Sequence, residues 1–267
     1  MGWRSFALVA IIVAMSGQAL ADVALPPREI IEQVRLEDPT LINRFLDAAV
    51  DPDSVPRVAG ISLGVARTIH SLKSPSVCFS ATDNAYLAEL TPIVAEISTL
   101  TDEPTILRPC GQADDPPYLL LIMDYDQRRE KVASLMNSSS FVRFAVKDFI
   151  KVTVGVDGIE RQCGEVHFMT NGMHPSRITL AFAVIAAEAP SLARKRCFAL
   201  MLLRFQGLSM GAAFDNGSPP PEADLATAMT PEERLFLWML YRMTPGLSRA
   251  AAKAQATVLI EQIQQQP

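Results

Sequence analysis

The sequence predicts an α+β fold, with a mixed β-sheet, a buried central helix and C-terminal helices. Three observations predict it. Residues 196–210, RCFALMLLRFQGLSM, are apolar almost all round and close on Gly207, and a helix without a polar face is a buried one. Short apolar or alternating runs precede it at residues 76–81, 104–109, 118–123 and 165–170, which is the length and spacing of strands. Two further helical patterns follow it, each with its own start signal. The hydrophobic fraction is 49% of 267 residues, enough for a core that does not depend on disulfides to exist.

Taken in order, residues 1–21 are expected to be a signal peptide. Arg4 supplies the positive start and residues 6–15 the apolar run. Ala19-Leu20-Ala21 is a small-x-small cleavage site before Asp22. The run is shorter than the about 20 residues that a spanning helix takes. No cysteine follows it to carry a lipid, and no later stretch is long and apolar enough to cross a membrane. A mature chain in the periplasm, or secreted, with no stable membrane span after cleavage, is the expectation. Cleavage removes Arg4 and no acid, so a net charge of −5 becomes −6. That balance, without clustered Lys and Arg, excludes nucleic acid as a partner.

Residues 22–73 read as an N-terminal helical segment and residues 74–267 as the α+β domain, clearest over 160–263. In the first, IIEQVRLEDPTLINRFLDAAV has helical spacing broken at Pro39-Thr40 into two short helices. ISLGVARTIHSL then reads as a strand entering a helix or as one short helix. In the second, SVCFSA is a strand, Thr82-Asp83 a helix cap, and residues 84–100 a helix with Leu87, Leu90, Ile93, Val94 and Ile97 on one face. Residues 104–109 form a strand ending at Cys110. YLLLIM at 118–123 is apolar on both faces, as in a central strand. A helix over 126–136 follows, then strand and turn in VTVGVDGIER and a strand over 165–170. ITLAFAVIA at 178–186 is helix by its alanines or buried strand by its β-branched residues, and periodicity does not separate the two. Pro190-Ser191 is expected to cap the central helix. The loop GAAFDNGSPPPEAD follows that helix. Thr230-Pro231-Glu232-Glu233 is then a capping box with proline in the first turn. Ser248 caps a last helix whose face is Ala251, Ala254, Val258, Ile260 and Ile263.

Four cysteines, Cys78, Cys110, Cys163 and Cys197, are an even count in a chain read as exported, which favours two disulfides. Of three pairings, Cys78–Cys110 and Cys163–Cys197 are expected, because each joins neighbouring elements. The spacings contain no CxxC or HxxxH, so they do not predict a metal site.

From about Cys163 onward the chain resembles the bacterial exported domain family of unknown function called DUF2927, whose core is similar to that of zincin metallopeptidases. The residues that carry the resemblance are Arg196-Cys197, Gly207-Leu208, Ala213-Phe214-Asp215, Met229-Thr230, LFLWMLY at 235–241, and the run Pro245-Gly246-Leu247-Ser248-Arg249-Ala250. The resemblance implies a zincin-like mixed sheet with residues 196–210 in the place of the active-site helix. The chain departs from that pattern where zincin chemistry sits. A zincin helix carries two His at i and i+4 with a Glu beside the first as general base. Counted back from Gly207, the two His places hold Leu200 and Arg204, and the Glu place holds Met201. None of these binds zinc or accepts a proton at neutral pH, so neither a metal nor another cofactor is expected there. Arg204 is the one polar side chain left.

Other residues are candidates for binding. Glu165 and His167 share a face of the 165–170 strand with Met169, and His174 lies close in sequence. Asp124 and Asp126 stand at the end of the expected central strand, where α/β proteins often place functional groups; as structure alone, Asp126 reads as a helix cap. His70 reads as structural. The leading expectation is a non-catalytic exported protein that binds a peptide or an envelope protein. A chain would add as a strand along residues 165–170. The alternative is a periplasmic hydrolase with a site built from Asp124 and Asp126 or from His167 and His174.

Overall fold

The computed structural model describes residues 25–51, 57–58, 61–62, 67–71, 75–80, 85–110, 118–127, 130, 167–171, 174–209 and 226–265. The expected signal peptide, the expected Thr82-Asp83 cap, the stretch GAAFDNGSPPPEAD and most of the helix expected over 126–136 lie outside the described residues. So do Glu165, Cys163 and the VTVGVDGIER turn.

Two short helices open the chain, α1 (Arg28–Gln33) and α2 (Leu41–Ala49), divided around Pro39 as the sequence predicts. The Asp38 carboxylate accepts from the Thr40 backbone N–H at 2.8 Å and so shapes the turn between them. Leu41, Phe45, Leu46, Ala48 and Ala49 form the buried stripe of α2. The next stretch is extended: β1 (Val50–Asp51) pairs antiparallel with β4 (Arg67–Thr68), and β2 (Arg57–Val58) with β3 (Ile61–Ser62). The helix considered for residues 61–72 is absent from the described part of it. Its backbone groups are bound elsewhere: the Thr68 N–H donates to Leu247 O at 2.9 Å, and His70 O accepts from the Ile178 N–H at 2.8 Å. Residues 67–71 are therefore a strap laid across other elements.

The main sheet contains β5 (Ser76–Ser80), β6 (Ile106–Pro109), β7 (Tyr118–Met123), β8 (His167–Asn171) and β9 (His174–Ala186), in the order β6-β5-β7-β9-β8. β6, β5, β7 and β9 run parallel, and β8 runs antiparallel to β9. Parallel neighbours need a crossover, which α3 (Ala85–Thr101) supplies between β5 and β6. β7 holds the central place expected of YLLLIM. The ambiguous stretch at 178–186 is strand, and the strand starts earlier, at His174. It pairs with β8 over 174–182 and with β7 over 181–186. An inner strand of this kind lacks the alternation that marks a half-exposed one. The disulfide Cys78–Cys110 fastens β5 to the residue after β6, with Cα atoms 4.9 Å apart. Cys197 is also disulfide-bonded; its expected partner, Cys163, lies outside the described residues.

Three helices follow: α4 (Ser191–Phe205), α5 (Pro231–Tyr241) and α6 (Arg249–Gln264). The α5 start is as predicted. Thr230 Oγ1 accepts from the Glu233 N–H at 3.1 Å, and the Glu233 carboxylate accepts from the Thr230 N–H at 2.8 Å. Ser248 caps α6 by accepting from the Ala251 N–H. The buried face of α6 is Ala252, Ala256, Leu259, Ile260 and Ile263, whereas Ala254 and Val258 are exposed. The expected face is thus rotated, because alanines occupy several faces of RAAAKAQATV and leave its phase open until α2 packs on it. A single apolar core draws residues from every one of these helices and from β5, β7 and β9. The fold is α+β, with a mixed sheet and a buried central helix. No helix among the described residues is long and apolar enough to cross a membrane.

Candidate functional site

α4 is the place to look for chemistry, and its two halves differ. At its start Pro190 takes the cap position without a side-chain cap. Ser191, expected to cap, instead donates its hydroxyl to Glu89 on α3 at 2.6 Å. Arg194 grips the same carboxylate with two bonds of 2.7 Å and donates to the carbonyls of Ala187 (3.1 Å) and Ala189 (2.7 Å). Its guanidinium stacks 4.8 Å from the Tyr86 ring centre. Burial pushes the Glu89 carboxyl up, but the bonds from Arg194 and Ser191, with the charges of Arg194 and Lys195, outweigh it and hold the group below the ordinary carboxylate range.

Two residues on, Arg196 is fully buried and meets a fully buried Glu233. Nη1 donates to Glu233 Oε2 at 2.6 Å and to Ala228 O at 2.8 Å, and Nη2 donates to Oε1 at 2.5 Å. Glu233 therefore does two things, completing the capping box of α5 and neutralising the central helix. Sequence reasoning found the first role and missed the second. The only signal for the second was an arginine inside an otherwise apolar helix, which demands a partner.

The second half of α4 is apolar. Leu200 and Met201 are buried in the common core. Arg204 is half-buried in the last turn and engaged in contacts of its own. The helix ends in a Schellman motif. The Leu208 N–H bonds Leu203 O and the Gly207 N–H bonds Arg204 O, each at 3.0 Å, with Gly207 at φ +99°. Only glycine suits this place. A Cβ on Gly207 would stand 2.1 Å from Ile69 O in the strap.

Just past that end lies a buried polar cluster. The Tyr241 hydroxyl, at the end of α5, donates to Gln206 Oε1 and accepts from the Ser71 N–H at 3.2 Å. Burial, more than the opposing bond from Ser71, raises the phenol above its ordinary range. The His70 ring is 5.0 Å from the Tyr241 ring, centre to centre. His70 Nε2 and Gln206 Nε2 are both buried without a hydrogen-bond partner among the described residues.

The remaining candidates do not converge on this place. Asp124 and Asp126 are exposed. Asp124 Oδ1 accepts from the Gln127 N–H at 2.8 Å while Gln127 Oε1 accepts from the Asp124 N–H at 3.1 Å. The helix cap is thus Asp124 rather than Asp126, as the residue that directly follows the strand. His167 is the first residue of β8 and His174 the first of β9. No group of three His, Cys, Asp or Glu that could hold a metal ion occurs among the described residues. Compared with family models, characterised proteins and solved structures, the chain matches none.

Proposed function

We propose that this chain is an exported, non-catalytic binding protein with a degenerate zincin-like core of the DUF2927 kind. It engages a peptide or an envelope protein by strand addition at β8. The observation that carries the reading is the burial of Leu200 and Met201 in the core, where a zincin would hold a ligand and its base. A helix filled in this way positions its neighbours and leaves binding to the sheet beside it.

Two features favour β8 over the opposite edge. β8 pairs only with β9 among the described strands, so its outer backbone groups are available in that set, and such groups template an added strand. The opposite edge, β6, ends in Pro109, which has no N–H to give, and is pinned by Cys110. The β8 site is short. The register shifts between Met169 and Thr170 and again before Asn171, which leaves residues 167–169 as the regular part. An added chain gains few backbone bonds there, each worth about 0.5–1.5 kcal/mol net, so side-chain contacts must supply most of the affinity.

Amide NMR of the full mature chain, titrated with a library of extended Val- and Thr-rich peptides, tests the reading. Binding shifts the amide signals of residues 167–169 and slows their hydrogen exchange. A peptide that binds while leaving these amides unmoved, or is cleaved in the process, overturns it.

A further inference from the structure

We propose that His70 is an acid-sensitive latch: its neutral imidazole holds residues 67–71 along the start of β9, and protonation releases them and slackens the β8–β9 hairpin. The strap and the hairpin share a residue. Ile178 donates its N–H to His70 O at 2.8 Å on one side and is paired with Thr170 of β8 on the other. Arg177 adds a bond from Nη1 to Ser71 O at 2.8 Å. The Ser71 N–H in turn bonds the Tyr241 hydroxyl, so whatever moves His70 pulls on the hairpin and on α5 together.

The imidazole is placed to resist a charge. It is 3% exposed and lies against the Tyr241 ring, with Nε2 making no hydrogen bond among the described residues. The groups that face it are Arg177 from β9 and Tyr241 from α5; Tyr241 itself feels Glu103, after α3, and Tyr118 of β7. Gln206 from α4 is neutral. No described carboxylate acts on the imidazole, and the one charge that does, Arg177, is positive. Burial and then Arg177 push the imidazole from 6.5 down to about 3. A group lowered in this way contributes stability that is complete above about 6.5 and is lost as the pH falls from there toward 3. An exported protein meets such pH changes directly, and histidine is the side chain that senses them.

The latch itself does not require the peptide site; its effect on peptide binding rests on the function proposed above. The test is hydrogen exchange of the full mature chain without peptide, with protection at Ser71 and Ile178 normalised to intrinsic rates between about pH 7.5 and 5. Below about pH 6.5 protection falls up to about tenfold per pH unit in the wild type. It stays level in His70→Phe, and in His70→Gln should the phenylalanine variant fail to fold. The chain has two other histidines, His167 and His174. A slope that persists in both His70 variants, or vanishes in His167→Ala or His174→Ala, overturns the latch, as does level protection in the wild type. A pH-dependent slope in a protein that binds no peptide supports the latch and removes only the binding role.

Discussion

The two halves of α4 use their side chains in opposite ways. In the first half every arginine meets a carboxylate or a carbonyl: Arg194 with Glu89 and Arg196 with Glu233 and Ala228. In the second half Leu200, Met201, Leu202 and Leu203 are packed into the core. The polar capacity of the helix is spent on holding its neighbours. Arg194 ties it to α3, and Arg196 ties it to α5. The lesson is that buried charge on this helix marks its joints, and its apolar half is filled by the core.

Breaking the charged half has the largest expected effect. Glu233→Ala leaves Arg196 buried without its counter-ion, and a loss of about 3–5 kcal/mol in chemical denaturation is expected. The double variant Arg196→Met/Glu233→Leu recovers most of that loss, because two apolar side chains need no partner; the lost capping box keeps it about 0.5–2 kcal/mol short. Equal loss in the single and double variants would show that the pair is not what holds the joint. The apolar half breaks at its end. Gly207→Ala puts a methyl group 2.1 Å from Ile69 O at φ +99°, and the left-handed backbone alone costs about 1–3 kcal/mol. Denaturation should show at least that loss, with raised exchange at Ser71 in the strap. Arg249→Ala is the small-effect control. Its partner Asp47 is 69% exposed, and surface pairs of this kind contribute about 0–1 kcal/mol.

How much of this could be read from the sequence depended on range. Thr230 and Glu233 are three residues apart and announce α5 through local hydrogen bonds, so the capping box was legible. Arg196 and Glu233 are 37 residues apart, and no local pattern pairs them. The stretch 178–186 was ambiguous because consecutive buried residues, Ala183 to Ala186, leave no alternation to read. The strap at 67–71 was misread because its bonding partners, Leu247 and Ile178, come much later in the chain. At α4, the apolar character of Leu200 and Met201 was legible in the sequence, and both are buried. The cluster of His70, Gln206 and Tyr241 was not legible, since three elements converge to make it.

The central proposal is that the chain carries no metal chemistry, with the second half of α4 serving as scaffold. Metal analysis of the purified chain, refolded and dialysed in the presence of zinc, tests this most directly. The account predicts zinc well below one ion per chain, unchanged in Met201→Ala. One zinc per chain, lost when Arg204 or His167 is substituted, would contradict it.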